Sequence, residues 1–85
     1  MSSGTAARIK VIDPLLSLGP SDPARLLSRS NTCLNVLVSR AIFAGSMVYL
    51  RLSEGIAFGR VRRCMASGDE FEIAVEVTQH MQADS

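Results

Sequence analysis

Three β-like runs in the second half of the chain are separated by two short connectors that end in glycine. The connectors, residues 53–55 and 66–68, have the length of a three-residue hairpin loop. Such a loop is usually a type I turn followed by a left-handed residue, a position that glycine occupies without a Cβ penalty. The spacing therefore predicts a three-stranded antiparallel meander over residues 45–77, around which the rest of the chain must pack.

The third run of this meander alternates strictly between apolar and other residues. Its apolar positions are Phe71, Ile73, Val75 and Val77. A period of two with β-branched and aromatic residues is typical of a half-buried strand. A three-residue loop at 66–68 predicts that Val61 pairs with Ile73, Gly59 with Val75, and Arg62 with Glu72. A loop one residue shorter or longer would set Arg60 and Arg62 opposite core residues.

The loop at 53–55 predicts the pairing between the first two runs of the meander. It places Leu50 opposite Phe58 and Met47 opposite Val61, and these two pairs lie on opposite faces of the sheet. A barrel interior covers one apolar face, so the other must be covered by the N-terminal segment, by a tail or by another chain, because a bare apolar face would risk aggregation. We therefore expect an interface near Val48, Leu50 and Phe58.

Shorter strand signals precede the meander. They span residues 8–12, 24–28 and 33–38, with a strong loop signal at 19–23. Residues 39–44 are expected to cross the barrel irregularly, with Ile42 and Phe43 in the core. The pattern predicts an all-β fold, a six-stranded antiparallel barrel with little or no C-terminal helix. One domain covers residues 8–77, between a flexible N-terminus at 1–7 and a short polar tail at 78–85.

Composition narrows the classes of function. The chain has 85 residues, enough for one domain, and a net charge of +1, which gives no support for nucleic-acid binding. Residues 1–7 are small and polar and show no signal-peptide pattern, and no apolar run approaches the ~20 residues of a membrane helix, so we expect a cytoplasmic protein. Cys33 and Cys64 could form one disulfide, but reduced structural cysteines are the favoured interpretation.

The sequence shows no set of residues typical of a catalytic or metal-binding site. His80 is the only histidine and lies in the polar tail, where a solvated side chain is favoured over a general base. We therefore predict no enzymatic activity, no metal site and no cofactor. The basic cluster Arg60, Arg62 and Arg63 has two interpretations. Either it forms a strand face paired with glutamates, or it joins Arg25 and Arg29 in a patch that binds anions or nucleotides.

Three stretches within residues 24–77 carry motifs in a recognisable order. They are Leu-Leu-Ser-Arg-Ser-Asn-Thr-Cys-Leu at 26–34, Ala-Gly-Ser-Met-Val-Tyr-Leu at 44–50, and Gly-Arg-Val-Arg-Arg-Cys at 59–64 with Phe-Glu-Ile-Ala-Val-Glu at 71–76. Together they resemble the PilZ domain, a small bacterial β-barrel known as a receptor module for cyclic di-GMP. The first stretch lies where that family has its Asp-x-Ser-x-x-Gly motif, the second is similar to the family strand that follows a glycine, and the third looks like its final hairpin.

The ligand motifs of the family are only partly present. Ser28 stands at the family's Asp, Ser30 is retained and Cys33 stands at its Gly. Of the family's Arg-x-x-x-Arg pair only Arg8 lies near the expected place, because the partner position is Gly4. A bis-phosphate ligand needs guanidinium groups and a carboxylate for the guanine edge. The resemblance thus implies a ligand set of Arg8, Ser28, Ser30 and Cys33 with weak or absent cyclic di-GMP binding.

Two functions follow as hypotheses from the resemblance and the apolar faces. The favoured one is a non-enzymatic signalling or adaptor module that acts through contacts with a protein partner or a second copy. The alternative is a working cyclic di-GMP receptor. Ser30 and Asn31 have two interpretations. They are either ordinary turn residues whose side chains bond nearby backbone, or part of a remnant ligand surface as in the family.

Overall fold

A computed structural model describes residues 5–13 and 22–82 of the chain. These residues form six strands, β1 Thr5–Asp13, β2 Asp22–Arg29, β3 Cys33–Val38, β4 Met47–Leu52, β5 Gly55–Ser67 and β6 Glu70–Gln82. All neighbouring strands are antiparallel and close into a barrel in the order β1-β2-β3-β6-β5-β4. The prediction of an all-β, six-stranded antiparallel barrel is confirmed. Within the described residues, no helix is long and apolar enough to cross a membrane.

The barrel interior is filled by apolar side chains from every strand. Alternate residues of β3 and β4 are buried and their neighbours are not, as period-two patterning requires. The largest fully buried side chains are Ile9, Val36, Val48, Leu50, Val61, Ile73 and Val75. Ser46 is the one buried polar residue among those described. The interior therefore serves as a hydrophobic core, and the chemistry of this chain lies on its outer surface.

The turn between β5 and β6 is one residue shorter than the sequence suggests. Ser67 pairs with Glu70, so only Gly68 and Asp69 lie between the paired residues. Gly68 has a φ of 62°, and no residue other than glycine has a positive φ in the described chain. Glycine at the first central position is the signature of a type II′ two-residue turn, which matches the twist of the flanking strands. Gly68 therefore begins the turn, whereas the prediction placed it at the end of a longer loop.

A bulge in β5 reconciles this short turn with the apolar pattern. Next to the turn, Cys64 pairs with Ile73 and Met65 with Glu72. Arg62 is then an extra residue, since Val61 pairs with Val75 and Arg63 with Ala74. A bulge inserts one residue into one strand, so Val61 returns to the interior despite the two-residue turn. The predicted pairs of residues 59, 61 and 62 were wrong, although the inward direction of Val61 was right.

The β4–β5 pairing is also offset by one residue from the prediction. Leu52 pairs with Gly55, and only Ser53 and Glu54 lie between the paired residues. Leu50 consequently faces Ala57, and Met47 faces Arg60. A slip of one residue exchanges the two faces of a strand pair, so the expected pairs of Leu50 with Phe58 and Met47 with Val61 do not form.

Several predicted boundaries are too narrow. β1 already includes residues 5–7, and β6 continues through residues 78–82, which were expected to be terminus and tail. The polar end of β6 is a strand because it pairs with the first residues of β5 while its side chains remain exposed. The loop predicted at 19–23 lies largely outside the described residues. In the β3–β4 connection Ile42 is buried as expected, but Phe43 is 79% exposed and does not enter the core.

Candidate functional site

The outer surface of the barrel carries a connected group of large apolar side chains. Tyr49 pairs with Phe58 across β4 and β5, and their rings meet edge to face with centroids 5.4 Å apart and an interplanar angle of 69°. Ile56 lies two residues before Phe58 in β5 and pairs with Met81 of β6, which is 46% exposed. We call Tyr49, Ile56, Phe58 and Met81 the outer patch. Aromatic residues and methionine are enriched where proteins bind each other.

Basic residues border the outer patch on the β1 side. The register places Lys10 opposite Tyr49, and Arg51 lies between Arg8 of β1 and Ile56 of β5. Arg8 and Arg51 are exposed, and Lys10 is half-buried. These three residues give the border of the patch a positive charge.

A shallow depression of about 460 Å³ adjoins Ile56 and Met81 of the outer patch. Its wall includes Arg51, Ile56 and Met81, together with the β4–β5 turn. The depression is partly open to solvent. The candidate site therefore consists of an apolar patch, a basic border and a shallow groove.

The interface predicted at Val48, Leu50 and Phe58 is wrong for two of its three residues. Val48 and Leu50 are completely buried in the core, where no partner of the folded chain can reach them. Phe58 is half-buried and belongs to the outer patch. The sequence analysis missed Tyr49 and Ile56 because it paired β4 with β5 one residue out of register, and it missed Met81 because residues 78–85 were predicted to be a tail. The signal that would have found Tyr49 and Ile56 is the two-residue turn at Ser53 and Glu54.

The residues expected from the ligand motif lie around the β2–β3 turn. Ser28 accepts a 2.9 Å hydrogen bond from the Asn35 side chain. The backbone N–H of Ser30 donates to the carbonyl of Cys33 at 2.9 Å, and the N–H of Cys33 donates to Ser30 Oγ at 3.3 Å. These are the local bonds that the turn interpretation of Ser30 expects. Cys33 is half-buried and not fully enclosed in the core.

Arg8 does not converge with that turn. It pairs with Pro23, and Ser28 lies five residues farther along β2. At about 3.3 Å per residue this separation is about 16 Å, well beyond the reach of one arginine side chain. The structure thus brings Ser28, Ser30 and Cys33 together and leaves Arg8 on the border of the outer patch.

The arginines proposed as an anion patch form hydrogen bonds or ion pairs with separate partners on the barrel surface. Arg60 donates a 2.7 Å hydrogen bond to the carbonyl of Gly45, and Arg62 forms a 3.3 Å ion pair with Glu76. Arg25 forms a 3.0 Å ion pair with Glu70. These contacts agree with the paired-face interpretation of the arginines, although Arg62 meets Glu76 and not Glu72. Anion binding here would have to compete with a glutamate or a carbonyl at each of these sites.

Arg29, which was also predicted to join that patch, lies at the end of β2 and binds Glu54 in the β4–β5 turn. The hydrogen bond from Arg29 lowers the pKa of Glu54 below its usual value, and the charges of Arg29 and His80 act in the same direction against some desolvation. The same hydrogen bond raises the pKa of Arg29. This ion pair joins the end of β2 to the β4–β5 turn.

The remaining reactive groups form no further cluster in the described part of the chain. Cys33 and Cys64 are both free thiols. No group of three or more His, Cys, Asp or Glu side chains among residues 5–13 and 22–82 is placed to hold a metal ion. Comparisons with protein families, curated proteins and solved structures find no match to this chain. The PilZ resemblance therefore stays a prediction from the sequence motifs.

Proposed function

We propose that the chain is a non-enzymatic signalling or adaptor module of PilZ type that acts through protein contacts made by the outer patch. The observation that carries this proposal is the aromatic pair Tyr49–Phe58 on the outside of a closed barrel, continuous with Ile56 and Met81. An apolar surface with a basic border favours a protein partner that offers apolar and acidic side chains. In this proposal cyclic di-GMP binding is weak or lost.

A capture experiment tests the adaptor role. The immobilised chain, the double variant Tyr49→Ser/Phe58→Ser and the control Met65→Ser are each exposed to lysate of the source organism, and bound proteins are identified. Met65 is 52% exposed and lies in the part of β5 beyond its pairing with β4, so the control removes a comparable apolar side chain elsewhere. We expect one protein to bind the wild type and the control but not the double variant. Binding that is equal in all three, or absent from the wild type, would count against the proposal.

One observation favours the alternative of a cyclic di-GMP receptor. The register places Arg8 directly beside Arg51, and a pair of guanidinium groups is what a ligand with two phosphates requires. A calorimetric titration with cyclic di-GMP decides between the two functions. Micromolar binding that is lost in Arg51→Gln would establish the receptor and refute the adaptor proposal in its present form. We expect no heat of binding in this range.

A further inference from the structure

The outer faces of β1, β4 and β5 form two parallel rows of paired side chains. Across the three strands the first row is Lys10, Tyr49 and Phe58, and the second row is Arg8, Arg51 and Ile56. Corresponding members of the two rows lie two residues apart in their strand, so all six side chains point to the same face. None of the six is buried. We call these six residues the outer rows; they contain three basic residues and no carboxylate.

Lys10 and Arg51 differ from several basic residues elsewhere on the barrel. Ion pairs with carboxylates engage Arg25, Arg29, Arg40 and Arg62. Lys10 and Arg51, by contrast, form no hydrogen bond or ion pair with any described residue. The next row, which passes through Met47, contains Asp13 and Glu76, so the basic surface ends there. An anion that binds to Lys10 and Arg51 therefore displaces no carboxylate of the described chain.

Aromatic rings lie directly beside these cations. Lys10 pairs with Tyr49, and neighbouring strands are about 5 Å apart, so a positive charge and a ring stand side by side on the outer face. Tyr49 and Phe58 are both half-buried, and their rings meet edge to face. Rings in this geometry are not stacked on each other, so the pair itself leaves ring faces for another planar group. The outer rows thus offer one ligand both anion contacts and a stacking surface.

We propose that the outer rows bind single-stranded nucleic acid, with phosphates beside Lys10 and Arg51 and bases over the Tyr49–Phe58 pair. Proteins that bind single strands combine a basic track for the backbone with aromatic side chains on which bases stack. The net charge of +1 gives no sign of this surface, because it averages over the whole chain and includes the ion-paired arginines. An acidic peptide would use the same cations, but the adjoining rings add a contact that a planar base makes. The inference does not rest on the adaptor function, although it uses part of the outer patch.

Fluorescence anisotropy of the full chain with a labelled deoxythymidine strand of about 12 nucleotides, and with its uridine counterpart, tests the proposal. We expect the logarithm of the association constant to fall against the logarithm of salt concentration with a slope of about −1.4 or steeper. Lys10→Gln and Arg51→Gln should each weaken binding and make this slope shallower by about 0.7. Tyr49→Leu should weaken binding by about tenfold at an unchanged slope, because it removes a stacking ring and no charge. Tyr49→Phe keeps the ring and should bind as the wild type does.

Controls separate this result from general charge attraction and from the adaptor role. Arg63→Gln removes one positive charge from the part of β5 beyond its pairing with β4 and should leave binding unchanged, and thermal melts establish that each variant is folded. The proposal is refuted if neither strand binds, if Arg63→Gln weakens binding as much as Lys10→Gln does, or if Tyr49→Leu binds as tightly as the wild type.

Competition distinguishes a nucleic acid from an acidic protein on the same surface. Unlabelled strand should displace the labelled strand at a far lower concentration than poly-L-glutamate of equal total charge. Equal displacement by the two polyanions would assign the surface to acidic proteins and refute the proposal. A chain that captures a protein from lysate but binds neither strand would also refute it, and the adaptor function would then stand alone.

Discussion

Gly59 lies in β5 with the backbone of β6 close beside it. A methyl group at this position would meet the backbone oxygen of Glu76 at 2.5 Å and Cγ1 of Val75 at 2.6 Å. Neither neighbour can move easily, because Val75 is fully buried and Glu76 is paired with Cys33 on one side and Arg60 on the other. We therefore predict that Gly59→Ala destabilises the barrel, although alanine is ordinarily the better residue in a regular backbone conformation.

The magnitude follows from two opposing terms. Replacing glycine by alanine where the backbone conformation suits both usually stabilises a protein by about 0.4–1 kcal/mol through the unfolded chain. Forcing an extra methyl into a packed core costs about 1–3 kcal/mol, and a contact with backbone belongs at the upper end. The net loss is about 2 kcal/mol. For a chain of this size that corresponds to a fall in Tm of about 8–16 °C.

Urea denaturation of Gly59→Ala measures this loss as a lower midpoint at an unchanged m-value. Gly68→Ala is the matched control, because no atom lies within 4 Å of its added methyl and only its φ of 62° opposes alanine. We expect the control to lose about 1 kcal/mol from backbone conformation alone. If Gly59→Ala were as stable as the wild type, or less affected than Gly68→Ala, the steric argument would be refuted.

Three further predictions concern the core, the ion pair and the thiols. Leu50→Ala should cost about 2–5 kcal/mol in urea denaturation, because Leu50 is fully buried; a loss below 1 kcal/mol would contradict its place in the core. In Arg29→Gln, NMR titration should show the pKa of Glu54 rising toward its usual value. The stabilising effect of the Glu54 carboxylate should be present above its unfolded pKa and disappear as the pH falls through its lower folded pKa, so Glu54→Gln should match the wild type in acid. Reducing agent should leave the Tm unchanged, since Cys33 and Cys64 are free; a fall in Tm would indicate a disulfide.

The architecture could be predicted from the sequence because it depends on the alternation of apolar and polar residues and on the positions of turn residues, which can be read directly. The apolar alternation of β6 and the six short strand signals predict a small antiparallel barrel, and β3 was predicted with its observed bounds. The ends of the strands were harder to predict from the sequence. Residues 78–82 are polar because one of their sides is solvated, and a solvated strand has the composition of a tail. Only pairing with β5, a contact between distant residues, makes them a strand.

The candidate site was harder to predict because it depends on the register to a single residue. Turn glycines indicated where the hairpins lie, but Gly55 fits both the last residue of a three-residue loop and the first paired residue of β5, and the sequence alone did not separate them. The resulting error exchanged the inner and outer faces of β4 relative to β5. It moved Leu50 from the core to a supposed interface, and it left Tyr49 unassigned. The positions of charged partners, such as Arg29 with Glu54, depend on barrel closure and have no local sequence signal.

The bulge at Arg62 leads to a last prediction, which tests the register itself. Arg62 is the extra residue between Val61 and Arg63, so its deletion leaves Val61 opposite Val75 and facing the core. Deletion of Arg60 removes the same charge from the same strand, but it turns the preceding residues of β5 over and moves Phe58 toward the interior. We therefore expect the Arg62 deletion to yield a folded barrel and the Arg60 deletion to abolish cooperative unfolding, as measured by thermal melts followed by circular dichroism. Loss of cooperative unfolding in both deletions would contradict this prediction. It would mean that the barrel needs the bulge for its curvature, and that the alternation of faces does not determine which residue of β5 can be deleted.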